Sequence, residues 1–406
     1  MRLGDRFQDE ADKLREPVTE FLSDIIAIPS LSRREEDVAK RIGDEMGDLG
    51  YDEVTIDGFG SVIGRIGDGP VRIVYDSHID TVDVGERSSW KMDPFSPRVE
   101  DGVIYGRGAS DNKAATATMV YGGALIKRLG VDTSRFTVYV VGTVQEEDCD
   151  GLALEYVLTE SIPEAGVVVL GEATELNVYR GHRGRVELAV HTRGRAAHAS
   201  APERGVNAIY RMAPIVQQIE ELNERLATDP FLGKGTVVLS KIDCRTPSLN
   251  AVPDGCSVYL DRRLTVGETL ETARKELESL PAVQAREAEV EVLQYEGRSY
   301  TGLTLSTEKY FPTWVVPEDD PAVRAGVEAG ERALGRTPSV GRWIFSTNGV
   351  SSMGKLGITT IGFGPAEETY AHSAEDQCPV EHLPLAAAWY AAFPESYLAA
   401  TGSGSS

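Results

Sequence analysis

Apolar positions along this chain fall into two textures. Up to residue 178, and again from residue 299, short unbroken apolar runs are interleaved with stretches of helical spacing. Between those limits the apolar residues alternate with polar ones, one for one, over several segments. Unbroken β-branched runs read as strands buried on both faces of an α/β sheet, whereas alternation reads as antiparallel strands with one wet face.

In the first texture, residues 7–29 place Phe7, Ala11, Leu14, Val18, Phe21, Leu22 and Ile25 at helical spacing before Pro29, which predicts one helix or two. Glu35 to Leu49 predicts another, closed by Gly50. VTI (54–56), SVIGRIG (61–67), VRIVY (71–75), FTVYVVG (136–142) and VVVL (167–170) predict strands. Ala114 to Leu129 predicts a helix of small residues that can lie close to the sheet. Towards the C-terminus, PAVRAGVEAGERALG predicts a helix, ITTIGFGP a strand and turn, and EHLPLAAAWYAAFPESYLAA a closing helix. In the second texture, RVELAVHTRG, AIYRMAPIVQQIEELNERL, GTVVLSKID, CSVYLDRRL, LETARKELESL and AEVEVLQYE run β-α-β-β-α-β, the ferredoxin-like order. The expectation is an α/β catalytic unit, a sheet flanked by helices, built from residues 1–178 and 299–401. An α+β ferredoxin-like unit of residues 179–298 is inserted in it, and residues 402–406 form a flexible tail.

Composition narrows the partners. With 41 Lys and Arg against 64 Asp and Glu, the 406-residue chain carries a formal charge of −23. Such a balance repels phosphate backbones and anionic membrane surfaces, so neither nucleic acid nor membrane is an expected partner. The N-terminus lacks the apolar core of a secretory signal, and no apolar run is long enough to span a bilayer. Cys149, Cys244, Cys256 and Cys378 are scattered with no C-x-x-C spacing, as expected of free thiols in a cytoplasmic protein.

Candidate chemistry sits where the apolar runs stop. His78 and Asp80 are two apart just past VRIVY, so in an extended chain they leave the same face together. That is the strand end at which open α/β sheets place their ligands. Taken alone, His78 could do no more than cap the strand and bond Asp80. Asp111 lies near the start of the 114–129 helix, where it could equally be an N-cap. Glu146 and Glu147 follow the FTVYVVG run and Glu172 the VVVL run, and His372 lies in a polar loop near the C-terminus. Acids scattered over a surface would not recur at successive strand ends. One histidine with several carboxylates suits a divalent metal, or a pair sharing a carboxylate. Competing motifs fail: EEDCDG places Val157 where a calcium loop needs its bidentate Glu, GRGASD lacks the third glycine of a dinucleotide fingerprint, and no G-x-S-x-G elbow occurs.

The segments SHIDTV, YGRGASDNK, TVQEED, GEAT and YAHSAED, in that order, resemble the zinc-dependent aminoacylase and carboxypeptidase family that includes acetylornithine deacetylase and succinyl-diaminopimelate desuccinylase. The resemblance covers nearly the whole chain and implies a zinc-exopeptidase-like fold with a mixed sheet and an inserted lid. It makes His78 and Glu172 ligands of one metal, Glu147 and His372 ligands of a second, and Asp111 the bridge. Asp80 would orient His78, and Glu146 would be the general base. GRAAHASAP puts His198 where relatives hold the developing oxyanion, often from a partner subunit, which implies a homodimer through the lid. Asn250 and Arg263 would bind a substrate carboxylate, although Arg262 stands beside Arg263 and the register could be off by one. Thr347 and Asn348 fall in STNGVSS, where many relatives carry a Gly-Gly-Thr-Asp type segment, and could still contact substrate. Glu172 looks like the deacylases and carboxypeptidases rather than the tripeptide aminopeptidases, which use Asp there. The DRR and STNG segments are similar to those of selenium-metabolism-associated hydrolases in the same family. The implied activity is hydrolysis of an N-acyl amino acid or N-acyl diamino acid, or alternatively of a dipeptide or C-terminal peptide bond. Its cofactors would be two divalent ions, zinc before cobalt or manganese. A non-catalytic binding protein of this fold would not need the whole set, Glu146 included.

Overall fold

A computed structural model describes residues 3–402, so residues 403–406 of the expected tail lie outside it. The chain is α/β, and its main sheet has nine strands of mixed direction. Val71–His78 lies inside this sheet, parallel to both Phe136–Thr143 and Val167–Leu170. Thr360–Gly362 continues the parallel set beyond Val167–Leu170, while Glu53–Ile56 and Val62–Ile66 form an antiparallel edge beside Phe136–Thr143. The parallel strands are buried on both faces because helices cover each side, and this is why their sequences are unbroken apolar runs.

Two helices pack in succession on these strands. Lys113–Arg128 lies against Val71–His78 and Phe136–Thr143, and His382–Ala400 packs on it. The second helix is apolar all round, and its Trp389 stacks on Phe363, just past the strand Thr360–Gly362, with ring centroids 4.0 Å apart. The two axes approach closely because Gly122 has no Cβ, which would stand 2.6 Å from the Cβ of Tyr390. The N-terminal helical stretch resolves into two helices, Leu3–Asp12 and Arg15–Ala27.

A second sheet of five strands has the order Thr236–Arg245, Gly255–Leu264, Gly184–Arg193, Glu289–Val292, with Tyr310–Phe311 also on Gly184–Arg193. With the helices Ala208–Arg225 and Leu270–Glu278 it has the ferredoxin-like element order and its own apolar core, which includes Val186, Leu188, Met212, Ile215 and Leu260. The chain passes between sheets later than the texture suggests. Val178–His182 pairs with Thr360–Gly362, Trp314–Val315 and Val340–Trp343 of the main sheet, so the passage falls at Arg183. The return is also less abrupt: AEVEVLQYE splits into Glu289–Val292 in the second sheet and Gln294–Arg298, which turns back on Thr304–Glu308. At the passage the two connections touch. A Cβ on Gly184 would come within 2.5 Å of the Phe311 carbonyl oxygen, so only glycine fits.

Candidate metal centre and active-site cavity

Six side chains from five separate segments meet at the C-terminal ends of the parallel strands. His78 is the last residue of its strand and is buried. Its Nδ1 lies 3.0 Å from the Asp80 carbonyl oxygen. A carbonyl can only accept, so Nδ1 carries the proton and the Nε2 lone pair faces the cluster. Nε2 is 2.9 Å from Asp111 Oδ1, 3.9 Å from Glu172 Oε1 and 4.0 Å from Glu146 Oε2. The other oxygen of Asp111 lies 3.1 Å from His372 Nε2, which is also 2.9 Å from Glu147 Oε2. Asp111 thus stands between two imidazoles with one oxygen towards each. The helix Lys113–Arg128 has Asn112 in its N-cap position, so Asp111 is not the cap.

Electrostatics favour a cation here. Burial, followed by repulsion from neighbouring acids, holds Glu172 up at about 8 and raises Glu146 and Glu147 above the ordinary carboxylate range. His372 is raised to about 10 by its bonds to Asp111 and Glu147. Crowded acids of this kind are what a compact double charge relieves. Single ligand atoms of His78, Asp111 and Glu147 lie within 4.8 Å of one another, so imidazole and carboxylate donors fit a divalent metal.

Asp80 meets the second ring nitrogen of His78 mainly through its main chain. Its main-chain carbonyl fixes His78, while its carboxylate, 3.5 Å from Nδ1, accepts the amides of Glu146 at 3.1 Å and Glu147 at 3.2 Å. The cluster opens into a cavity of about 320 Å³ whose far wall includes Arg185, Arg263, Asp150, Phe345 and Ser346. Strand alternation separates the two adjacent arginines. Arg263 faces the cavity, forked on Asp261 at 2.7 and 3.0 Å, and Arg262 turns inward to Glu268 and Glu276.

Four expected residues lie away from the cavity. Thr347 and Asn348 are buried and fully engaged: the Thr347 amide donates to His182 Nε2, and Asn348 Nδ2 donates to Asp76 and Thr143. The expectation that they touch substrate is corrected, because the segment after Ser346 turns into the interior. His198 and Asn250 sit together on the exposed end of the second sheet, where the Ala199 amide donates to the Asn250 carbonyl, and neither lines the cavity of its own chain. The sequence reading missed Arg185, which pairs with Asp150 at 3.1 Å over the Phe311 ring. It also missed Asp376. This buried carboxylate accepts from Arg107 Nη1 and from the amides of Gly108 and Ser110, tying the His372 loop to the Asp111 loop. Only the histidine of YAHSAED drew attention, and a long-range pairing of this kind has no local period to betray it.

A mixed α/β sheet whose strand ends gather two imidazoles and four acids defines a class, the metal-dependent hydrolases. A family model described as peptidase family M20/M25/M40 matches residues 74–396, and the chain belongs to that family. It is 48% identical over 391 residues to YgeY of Escherichia coli, an uncharacterized protein, covering 96% of this chain and 97% of the relative. A probable succinyl-diaminopimelate desuccinylase of Staphylococcus epidermidis is 23% identical over 397 residues, 90% of this chain and 93% of that protein. The fold is similar to aminopeptidase PepT of Bacillus cereus, with a TM-score of 0.72 at 22% identity over 94% of this chain and 98% of that one. It is likewise similar to YxeP of Bacillus subtilis, described as a dinuclear metal-binding peptidase, with a TM-score of 0.70 at 14% identity over 96% and 99%. The protein is a metal-dependent hydrolase of amide or peptide bonds. Among the described residues no helix is long and apolar enough to cross a membrane.

Proposed function

We propose that the chain is a two-metal amidohydrolase that removes the acyl group from an N-acyl amino acid or N-acyl diamino acid. The observation that carries this reading is the Asp111 carboxylate set between His78 and His372, with Glu146 flanking it. His78 and Glu172 would hold one ion and Glu147 and His372 the other, with Asp111 shared. Zinc suits this mixture of imidazole and carboxylate, and cobalt or manganese could replace it. The pair would supply Lewis-acid activation of water and of the amide carbonyl.

The rest is done by side chains. Glu146, buried and raised in pKa, accepts the proton of the attacking water and returns it to the leaving nitrogen. Arg263 reads the substrate carboxylate across the cavity by the guanidinium edge that its fork on Asp261 leaves free. His198, distant from its own cavity, donates to the developing oxyanion of a partner subunit, and Asn250 travels with it. A homodimer through the inserted unit is supported by Thr236–Arg245, an edge strand with Val238 and Ile242 exposed. Residues 179–298 would then be the lid and dimerisation unit on a catalytic unit of 1–178 and 299–401. Four free cysteines support a reducing, cytoplasmic setting.

The test combines metal content with hydrolysis of N-acetyl and N-succinyl amino acids and a dipeptide panel on one purified sample. Two metals per chain with turnover of an N-acyl amino acid supports the reading. Turnover of dipeptides alone moves the assignment to a dipeptidase or carboxypeptidase, and a metal-free chain that hydrolyses nothing sinks it.

A further inference from the structure

We infer that Glu35 is a positioning residue that aims Glu146 and Glu147, although it touches neither side chain and lies before the matched segment of residues 74–396. The inference rests on the roles given to Glu146 and Glu147 above. After Phe136–Thr143 the chain makes a tight turn in which Gln145 has φ 55°, a left-handed conformation that costs a non-glycine residue energy. Three successive amides of this turn point to one side and end on buried carboxylates. The Gln145 amide donates to Glu35 Oε1 at 3.0 Å, and those of Glu146 and Glu147 donate to the two oxygens of Asp80. Successive amides converging on an anion form a nest, and here the anion is supplied by the protein itself. With the amides turned inward, the side chains of Glu146 and Glu147 are turned out into the cavity.

Glu35 is suited to act as an anchor. It is fully buried, and the same Oε1 also accepts the Arg33 amide at 2.8 Å, so the carboxylate is fixed from its own segment. Its neighbours grip the same turn from outside. Ser32 Oγ donates to Asp80 Oδ2 at 2.6 Å, and Arg33 Nε pairs with Asp148 Oδ2 at 2.9 Å. Among the described residues Glu35 Oε2 has no partner, so the residue is held there by what Oε1 accepts. One acceptor oxygen is the requirement, and glutamine supplies it.

The test compares Glu35→Ala with Glu35→Gln in the full chain, reading kcat and KM and the visible spectrum of the cobalt-loaded protein. Losing the anchor should lower kcat by about 10²-fold, the cost of a misplacement near 1 Å, with KM unchanged because Arg263 lies on the other sheet. The cobalt spectrum should change, because Glu147 is re-aimed. Glu35→Gln should restore both readouts to within about threefold of the parent. An alanine variant that keeps parental kcat and spectrum overturns the proposal, as does a glutamine variant as impaired as alanine. Should Glu35→Ala not fold, Glu35→Asp, whose carboxylate falls one methylene short, takes its place under the same criteria. A parent chain that takes up cobalt yet cleaves no offered substrate refutes the substrate reading alone, and the spectrum still judges Glu35. A parent that takes up no cobalt overturns both.

Discussion

Glu146 differs from its neighbour Glu147 in what it faces: Glu147 reaches His372, whereas Glu146 stops 4.0 Å short of His78 with its carboxylate open to the cavity. Glu146→Gln keeps the shape and removes the base, so kcat should fall by about 10²–10⁴-fold while metal content stays at the parental value. Equal turnover in the metal-loaded variant would mean another group moves the proton. His182 gives a second prediction at this scale. Buried beside Trp314, it accepts from the Trp314 ring nitrogen at 2.7 Å and from the Thr347 amide at 3.1 Å, and burial lowers it from 6.5 to about 4. Below pH 6.5 the unfolded chain binds the proton that the folded chain refuses, so His182 stabilises at neutral pH and less as acid is added. The loss is about 1.4 kcal/mol per pH unit down to the folded value. The stability advantage of the parent over His182→Gln, measured by urea unfolding, should therefore shrink by about 2 kcal/mol between pH 7 and pH 5. A pH-independent advantage would show that the ring does not titrate with folding.

At the scale of elements, Gly255–Leu264 shows how a strand divides labour between neighbours. Its burial alternates residue by residue, which sends Arg262 into the core of the second sheet and Arg263 to the cavity. Arg262→Leu leaves Glu268 and Glu276 without their cation and should cost about 3–5 kcal/mol in urea unfolding. Arg263→Leu should change stability by less than about 0.5 kcal/mol and raise KM by about 10–100-fold, the worth of a charge-assisted bond to a carboxylate. If the two variants exchanged these effects, the register of this strand would be wrong. Local pattern was a sound guide to such elements. His78, Glu146, Glu147 and Glu172 were legible because unbroken apolar runs announce parallel strands, and ligands collect at their C-terminal ends. What stayed hidden was long-range or irregular. Glu35 reads as the start of a helix, yet its carboxylate is used by Gln145, 110 residues on, and Asp376 meets Ser110 across 266. Thr347 and Asn348 were misplaced because a turn that buries polar residues against Asp76 and His182 has the same composition as one that exposes them.

At the scale of the whole molecule, the placement of His198 decides whether one chain is a complete catalyst. The residue lies at the exposed end of the second sheet with Ser200 as its partner at 2.7 Å, away from the cavity that Arg263 of the same sheet does line. In an isologous pair through the Thr236–Arg245 edge, a two-fold axis makes the arrangement reciprocal, so a His198 that serves the other subunit's cavity is matched by its mate serving the first. This has a consequence that no single-chain site reproduces. Glu146→Gln and His198→Ala should each be inactive alone. Mixed after dissociation and reassembled, they form dimers in which one cavity has an intact Glu146 from one chain and an intact His198 from the other. Random assortment makes half the dimers mixed, each with one competent cavity, so activity should return to about a quarter of the parental value. The mixture staying as inactive as its components would place His198 in the cavity of its own chain or outside catalysis. Recovery abolished by Ile242→Glu, which sets a charge on the exposed edge, would tie the shared site to that strand.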